Sequence, residues 1–227
     1  MSDQGVLALE TARWGAILKY GDAAEALGAA AEPAVVPIAL RRRMPELALS
    51  VVRCGWALVQ EAPESEIVHS SRFGDLDSTV KLLTDLATRT PLSPTTFSSS
   101  VHNAPAGLLG LCLGAPASHT AVAAGRSSLA AGLTEAYARL CSGEADAVVL
   151  IHADAALPAV YGNYDESGPG VCLGMRLTLP RDVGAQAVDV GLGRDGAAAV
   201  VRALAGGARR LRFSPPAQRA VEKRLAA

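Results

Sequence analysis

Apolar positions recur at helical spacing in two segments of the first half of the chain. In residues 44–61 the recurrence predicts a helix, and Pro45 suits its first turn. A second helix is predicted over residues 75–88, where acidic side chains near the start favour a helix N-terminus. Between the two, Glu66–Ser70 is short and β-prone, which indicates a strand.

The second half of the chain alternates between predicted strands and predicted helices. Strands are predicted at 120–122, 147–152, 171–179, 187–190 and 210–213, and helices at 105–113, 125–141, 194–205 and 218–225. Residues 147–152 (AVVLIH) are apolar without alternation, which is typical of a central strand in a parallel sheet. The order favours an α/β fold with a mostly parallel sheet flanked by helices.

The first forty residues and the uncharged middle of the chain do not fit this regular pattern. Residues 1–40 are Ala-rich and poorly periodic, and residues 91–101 are interpreted as a loop. Residues 90–125 contain no Asp, Glu, Lys or Arg, but four prolines interrupt them, so a membrane-spanning helix is excluded. We therefore expect this uncharged segment to be buried, either inside the domain or in an interface.

Length and composition limit the number of domains and the classes of partner that we expect. The 227 residues predict one domain over 1–227, and with 50% hydrophobic but 4% aromatic residues the core must consist of small aliphatic side chains. The net charge of −1 lacks the basic footprint of a nucleic-acid binder. Arg41, Arg42 and Arg43 form a cluster that is either ordinary surface or a docking patch for an acidic partner.

The cysteines and glycines give no sign of a metal or cofactor. Cys54, Cys112, Cys141 and Cys172 lack metal-ligand spacing and lie among apolar residues, which indicates buried thiols and a reducing, cytoplasmic compartment. The first fifteen residues lack the continuous apolar core of a secretory signal. No phosphate-binding glycine motif is present, so we expect no cofactor.

Two segments of the uncharged region carry candidate chemistry. Ser100, His102 and Asn103 lie close together, either as polar groups that satisfy a loop or as a site that orients a carbonyl or thioester. Residues 119–125 run from a strand into a helix N-terminus, where enzymes place activated nucleophiles, although a tight packing joint is the alternative. Ser127 and Ser128 follow one turn later, without the Gly-x-Ser-x-Gly motif of hydrolases.

These residues carry a family resemblance over about residues 40–180, while residues 181–227 match loosely. The supporting segments are 40–44 (LRRRM), 70–75 (SSRFGD), 92–97 (LSPTTF), 100–103 (SVHN), Glu135-Ala136 and Ala153-Asp154. The pattern SPxxFSxSVHNAxAG is the specific part. The chain resembles β-ketoacyl synthase N-terminal-like domains, in particular the truncated, chain-length-factor-like homologues of aryl polyene, xanthomonadin and flexirubin-type pigment pathways.

The resemblance implies half of a thiolase-like fold without its nucleophile. Active ketosynthases place a Thr-Ala-Cys sequence at the start of the central helix, and here Thr120 and Ala121 precede Val122. They also use two histidines from the second half of the fold, and this sequence has none after His152. Full ketosynthases dimerise around the central helix and its preceding strand, so Thr120 and Ala121, together with residues 100–103, are expected at a pocket or interface.

Three functional hypotheses follow. The favoured one is a non-condensing partner of an active ketosynthase or of itself, which shapes an acyl tunnel or receives an acyl carrier protein at Arg41, Arg42 and Arg43. The second is an acyl-thioester hydrolase or acyltransferase that uses Ser127 or Ser128 with His102. The third is a scaffold whose pocket is closed.

Overall fold

The strands of a computed structural model of the chain form one eight-stranded sheet. They are β1 (Leu7–Tyr20), β2 (Ala23–Gly28), β3 (Glu66–Ser70), β4 (His119–Val122), β5 (Val148–Asp154), β6 (Val171–Thr178), β7 (Val188–Asp189) and β8 (Arg210–Phe213). Their order is β4-β3-β5-β6-β1-β8-β7, and β2 pairs with β1. The structure describes residues 6–20, 23–42, 44–114, 118–162, 168, 170–181, 186–192 and 196–216.

The sheet is mixed, so the α/β class is confirmed while the prediction of a mostly parallel sheet is wrong. In the described part of the chain, β3 pairs in parallel with β4 and β5, and β7 with β8. The β1–β2, β1–β6, β1–β8 and β5–β6 pairings are antiparallel. The antiparallel half is organised by β1, which the sequence pattern did not predict. A register shift between Thr11 and Arg13 interrupts its alternation.

The longer helices follow the sequence pattern, whereas the two shortest, α1 and α4, were not predicted. They are α1 (Ile38–Arg41), α2 (Glu46–Gln60), α3 (Leu76–Ala87), α4 (Pro94–Ser99), α5 (Ala104–Leu113), α6 (Ser128–Ser142) and α7 (Gly196–Ala205). Helix α4 corrects the prediction of a loop over residues 91–101. The Ser93 hydroxyl accepts a hydrogen bond from the Thr96 amide at 3.2 Å, and Pro94 occupies the first turn, so a Ser-Pro start signal was present.

Two hydrophobic clusters cover the two faces of the sheet. On one face, Leu133 of α6 and helix α7 pack against Val68 and Leu150. On the other, α2 and α5 pack against Ile67 and Ile151, which are the alternate positions of the same strands. Strands β3 and β5 are therefore buried on both sides, as the unbroken apolar run of β5 predicts.

Little of the uncharged segment is buried within this chain, so of its two expected locations the interior of the domain is wrong. Among its described residues, Pro105, Ala106 and Leu109 are buried, whereas Phe97 and Leu111 are each 62% exposed. Helices α3 and α4 contain no buried residue. The segment lacks charge without being covered by the rest of the chain.

The residues after 181 contribute to the same sheet. Strand β8 pairs with β1, Val188 of β7 pairs with Leu211, and α7 packs in the cluster on the α6 face. The predicted helix over 218–225 lies outside the described residues. Within the described part of the chain, no helix is long and apolar enough to cross a membrane.

Candidate functional site

The parallel strands β3, β4 and β5 have their carboxyl ends at the same end of the sheet. Because β3 runs parallel to β4 and β5, Ser70 is in register with Val122 on one side and with His152 on the other. Helices α3 and α6 begin at this edge. The predicted nucleophile position, Val122, thus lies next to polar residues that end the neighbouring strands.

A buried polar network joins the ends of β3 and β5. The Ser70 hydroxyl lies 3.0 Å from His152 Nδ1, and His152 Nε2 lies 3.4 Å from Asp154 Oδ2. Asp154 Oδ1 accepts hydrogen bonds from the Ser71 hydroxyl at 3.0 Å and from the Arg72 amide at 2.7 Å. Burial lowers the pKa of His152, and the Asp154 carboxylate opposes that shift. When His152 is neutral and its proton is on Nε2, its Nδ1 can accept the hydrogen bond from the Ser70 hydroxyl.

The contacts of this network resemble those of a Ser-His-Asp triad. A substrate, however, cannot reach its serine. Ser70 is fully buried, and a Cβ added at Gly132 of α6 would lie 2.9 Å from the Ser70 Oγ. No substrate carbonyl reaches a hydroxyl covered by a helix backbone, so the network holds the strand ends together. Sequence reasoning did not find it, although a His and an Asp two residues apart at the end of a buried strand were a usable signal.

Two further histidines lie on the opposite face of the sheet. His69 Nδ1–H donates to the Ile151 carbonyl at 3.0 Å, and burial lowers the pKa of His69 to about 4. The ring of His102 lies against Gly74, where an added Cβ would meet it at 3.0 Å. Among the described residues, neither His69 Nε2 nor His102 Nε2 has a hydrogen-bond partner.

The joint between β4 and α6 contains the predicted vacant nucleophile position. Val122 is partly buried against the cluster on the α6 face, and its carbonyl accepts a hydrogen bond from the Ser71 amide at 3.2 Å. Gly125 then takes a positive φ of 57° in a tight turn that leads into the helix. The joint is thus a strand that runs through a tight turn into a helix, and the side chain at the end of the strand is an unreactive isopropyl group.

The candidate serines and His102 are not brought together. The Ser128 hydroxyl is buried, donates to the Gly125 carbonyl at 2.7 Å and accepts from the Ala124 amide at 3.0 Å, so it holds the turn. Ser127 is the partly buried N-cap of α6. His102 immediately precedes α5, which packs on the opposite face of the sheet from α6. The hydrolase hypothesis is not favoured.

The other predicted pocket residues have structural contacts. The Thr120 hydroxyl accepts from Arg139 Nη2 at 2.8 Å, and Arg139 also pairs with Glu66 and Glu135, which ties the edge strand to α6. The hydrogen bond to Glu66 raises the pKa of Arg139. Ala121 is partly buried in β4.

The remaining candidates lie in exposed turns. The Ser100 hydroxyl donates to the Phe97 carbonyl at 2.9 Å, and Asn103 is the exposed N-cap of α5. Arg41 and Arg42 are exposed at the end of α1, and Arg43 lies outside the described residues. In the part of the chain that the structure describes, no three His, Cys, Asp or Glu residues form a group that could hold a metal ion.

Comparisons with known proteins agree on one group. The family model described as "Beta-ketoacyl synthase, N-terminal domain" matches residues 17–209. The ketosynthase ApeO in complex with its chain length factor ApeC, from Xenorhabdus doucetiae, is 25% identical with a TM-score of 0.66, over 77% of this chain and 80% of that chain. No curated protein matches the sequence.

Two less similar structures share the fold. The ishigamide ketosynthase/chain length factor is 17% identical with a TM-score of 0.59, over 78% of this chain and 63% of that chain. The AntDE:AntF complex, a type II acyl carrier protein with its ketosynthase bound to the hexaketide, is 12% identical with a TM-score of 0.56, over 88% of this chain and 66% of that chain.

Proposed function

The chain belongs to the family of β-ketoacyl synthase N-terminal domains, and from this premise we propose that it is a non-condensing, chain-length-factor-like partner of an active ketosynthase. The observation that carries the proposal is Val122 at the end of β4, where the resemblance implies that active ketosynthases have their cysteine. Decarboxylative condensation begins when a thiolate takes the acyl group from a thioester. An isopropyl group cannot accept it, so the partner supplies the nucleophile.

Neighbouring side chains do not replace the missing cysteine. The Ser128 hydroxyl is committed to the turn and Ser70 is fully buried. Burial raises the pKa of Cys112, which lowers its thiolate fraction, and Cys141 lies at the far end of α6. This arrangement supports a role in binding over a role in acyl transfer.

The exposed uncharged surface supports a protein partner. Leu92, Phe97, Val101 and Leu111 are exposed apolar side chains within the segment that has no charged residue. Interface cores are depleted in charged residues and are more apolar than the rest of the protein surface. Strand β4 pairs with β3 alone among the described strands, so its outer edge is open beside this segment. The proposed partner covers both features.

The proposal extends to a second partner, an acyl carrier protein, and to the type of pathway. Acyl carrier proteins are acidic, and exposed Arg41 and Arg42 offer complementary charge. The resemblance to chain-length-factor-like homologues of pigment clusters supports a type II polyketide-like pathway of the aryl polyene kind. In this role the chain shapes the space for the growing acyl group while its partner performs the chemistry.

Native mass spectrometry tests the proposal. The full chain is measured alone, with an active ketosynthase from the same genome, and with carrier protein loaded with malonyl or medium-chain acyl groups. We expect a one-to-one complex with the ketosynthase and no covalent acyl group on this chain. A covalent acyl adduct on this chain, or an unaltered mass spectrum in both mixtures, would contradict the proposal.

A further inference from the structure

The long strand β1 has a gap along one of its two edges. Strand β6 covers the other edge, whereas on this one β8 pairs with residues 7–10 and β2 pairs with residues 15–20. A cavity of about 350 Å³ lies at the residues left between them, 11–14. Its volume is within the range of small-molecule sites, roughly 300–1,000 Å³. The gap in the sheet is therefore also a concave site that is large enough for a small ligand.

The β-bulge in β1 brings two side chains of the gap to the same face of the sheet. Thr11 and Trp14 pair with alternate residues of β6, which pack in the cluster on the α6 face. In a regular strand, residues three apart point to opposite faces, so the extra residue of the bulge places these two together. Both line the cavity, and Leu204 of α7 adds a further apolar side chain.

Thr11 supplies a buried hydroxyl group that lacks a partner. The residue is 4% exposed, and among the described residues its Oγ1 has no hydrogen-bond partner. Its backbone is held in place, because the Thr11 amide donates to the Arg209 carbonyl at 2.7 Å. Buried hydroxyl groups in folded proteins are generally hydrogen-bonded. An unpaired hydroxyl in the lining of a cavity points to a polar atom of a ligand as its missing partner.

The charges at the cavity favour an anionic ligand. The lining contains two cations, Arg13 and Arg209, and one carboxylate, Glu32. Arg13 is already paired with Glu32 and with Glu61. Arg209 is exposed and has no ion pair in the described part of the chain. Its guanidinium group is therefore available for a carboxylate, with which arginine forms two parallel hydrogen bonds.

We propose that this cavity binds a small monocarboxylate with an apolar body. The carboxylate pairs with Arg209 and accepts a hydrogen bond from the Thr11 hydroxyl. The apolar body lies against Trp14 and Leu204. The hydroxyl group and the cation that lack partners in the described chain thus gain one from the same ligand group.

The site lies away from the surfaces proposed for the carrier protein and the ketosynthase. Through β6, Thr11 is level with Val148 at the start of β5, whereas Val122 is level with the other end of β5. The described lining includes neither the arginines of α1 nor any residue of the uncharged segment. The proposal is therefore independent of the ketosynthase-partner role.

Matched probes and the two tryptophans of the chain test the site in the full-length protein. Hexanoate, hexanamide and n-hexylamine share an apolar body and differ in charge. Heteronuclear NMR of the labelled protein reports two indole N–H signals, from Trp14 and from Trp56, which packs on the opposite face of the sheet. We expect hexanoate to bind most tightly and n-hexylamine most weakly. Hexanoate should shift the Trp14 signal and leave that of Trp56 unchanged.

Two substitutions separate the roles of the lining groups. Arg209→Gln should weaken hexanoate about 3- to 5-fold, the value of a solvent-accessible ion pair, and leave hexanamide unchanged. Thr11→Val keeps the shape of the side chain and should weaken both hexanoate and hexanamide about fivefold. The same substitution should raise the urea midpoint of the unliganded protein, because it removes a buried hydroxyl that has no partner.

A matched control separates the site from a general charge effect. Arg202→Gln removes an exposed cation of α7 outside the cavity lining and should leave every affinity unchanged. Hexanoate that does not bind at millimolar concentration, or binds no more tightly than n-hexylamine, would overturn the proposal. A shift of the Trp56 signal in place of Trp14, or equal losses in Arg209→Gln and Arg202→Gln, would do the same. Neither ketosynthase nor carrier protein is needed, so failure here leaves the partner role standing.

Discussion

Ser70 and His152 face each other across the parallel strands β3 and β5, with the Ser70 hydroxyl 3.0 Å from His152 Nδ1. Both side chains are buried, so their hydrogen-bonding capacity must be met inside the protein. Asp154, at the end of the network nearer to solvent, pairs with His152. It also anchors the turn after β3 by accepting hydrogen bonds from Ser71 and Arg72. The contact therefore couples the two strand ends that flank the predicted site.

Replacement of Asp154 by alanine should destabilise the fold. The change removes a charged acceptor from the Ser71 hydroxyl, the Arg72 amide and His152. The expected loss in the free energy of unfolding is about 2–3 kcal/mol, measured by urea titration. Asp146→Ala, an exposed site at the other end of the sheet, should cost less than about 0.5 kcal/mol. Equal losses in the two variants would show that the network is not structural.

Alanine at Gly132 should destabilise the chain, although alanine is the better helix former. A Cβ there would lie 2.9 Å from Ser70 Cβ and 3.0 Å from Leu150 Cδ1, so α6 must shift from the sheet. Overpacking of this kind costs about 1–3 kcal/mol. Gly107→Ala in α5 is the matched control, because its added Cβ meets His119 at an ordinary 3.7 Å and should stabilise by up to about 1 kcal/mol. Thermal unfolding compares the two, and stabilisation by both would refute the close packing of α6.

Protonation of His69 should destabilise the fold in mild acid. Its pKa is 6.5 in the unfolded chain and about 4 in the folded protein, so the unfolded state binds the extra proton between these values. The contribution of neutral His69 to the free energy of unfolding is fully present above pH 6.5. It is lost as the pH falls toward 4, by about 3 kcal/mol in total. Urea unfolding at several pH values should show a shallower acid dependence in His69→Gln. An acid dependence in His69→Gln as steep as that of the unaltered protein would contradict the assignment to His69.

Aspartate at Phe97 or Leu111 should block assembly with a ketosynthase and leave the fold intact. Each side chain is 62% exposed in the uncharged segment, so a charge costs little until a partner covers it. We expect binding to weaken by at least about tenfold. Val35→Asp, at an exposed apolar site outside the segment, is the control for surface charge. Size-exclusion chromatography with the ketosynthase measures the effect, and intact complexes with both variants would exclude this surface.

Charge reversal at Arg41 and Arg42 should weaken binding of acyl carrier protein. The double variant Arg41→Glu/Arg42→Glu replaces two exposed cations with anions that repel an acidic partner. The expected loss in affinity is about 5- to 10-fold at low salt, and it should shrink as ionic strength rises. Arg202→Glu on α7 is the control. An unchanged titration isotherm for the double variant would remove the docking hypothesis.

Strands and helices with a local physical signature were predictable from the sequence. Glu66–Ser70 and Arg210–Phe213 were predicted with their observed bounds, since each is a short β-prone run. Leu7–Tyr20 was not predicted, because its three alanines and one glycine lower its β-propensity and its bulge breaks the alternation. The error in sheet direction follows mainly from that strand, which contributes three of the four antiparallel pairings described, and partly from the antiparallel pairing of the predicted strands β5 and β6.

The candidate site was predictable in part. The motif around Val122 identified the strand-to-helix joint, because such joints are local in sequence. The network of Ser70 and His152 spans 82 residues and arises from the register of β3 on β5, which no local pattern specifies. The exposure of Phe97 also depends on tertiary packing. The sequence pattern of an uncharged segment is the same whether its own chain or another protein covers it.

Among the described strands β4 leaves one side unpaired, and in the proposed complex this would link the amount of this protein to the amount of its partner. An unpaired strand beside exposed leucine, valine and phenylalanine side chains is a template for self-association. In the proposed role, copies made in excess of the partner would leave this surface uncovered and would be open to aggregation or proteolysis. Balanced synthesis of the two chains would then set the cellular level of this one, as it does for subunits that persist only in a stoichiometric assembly.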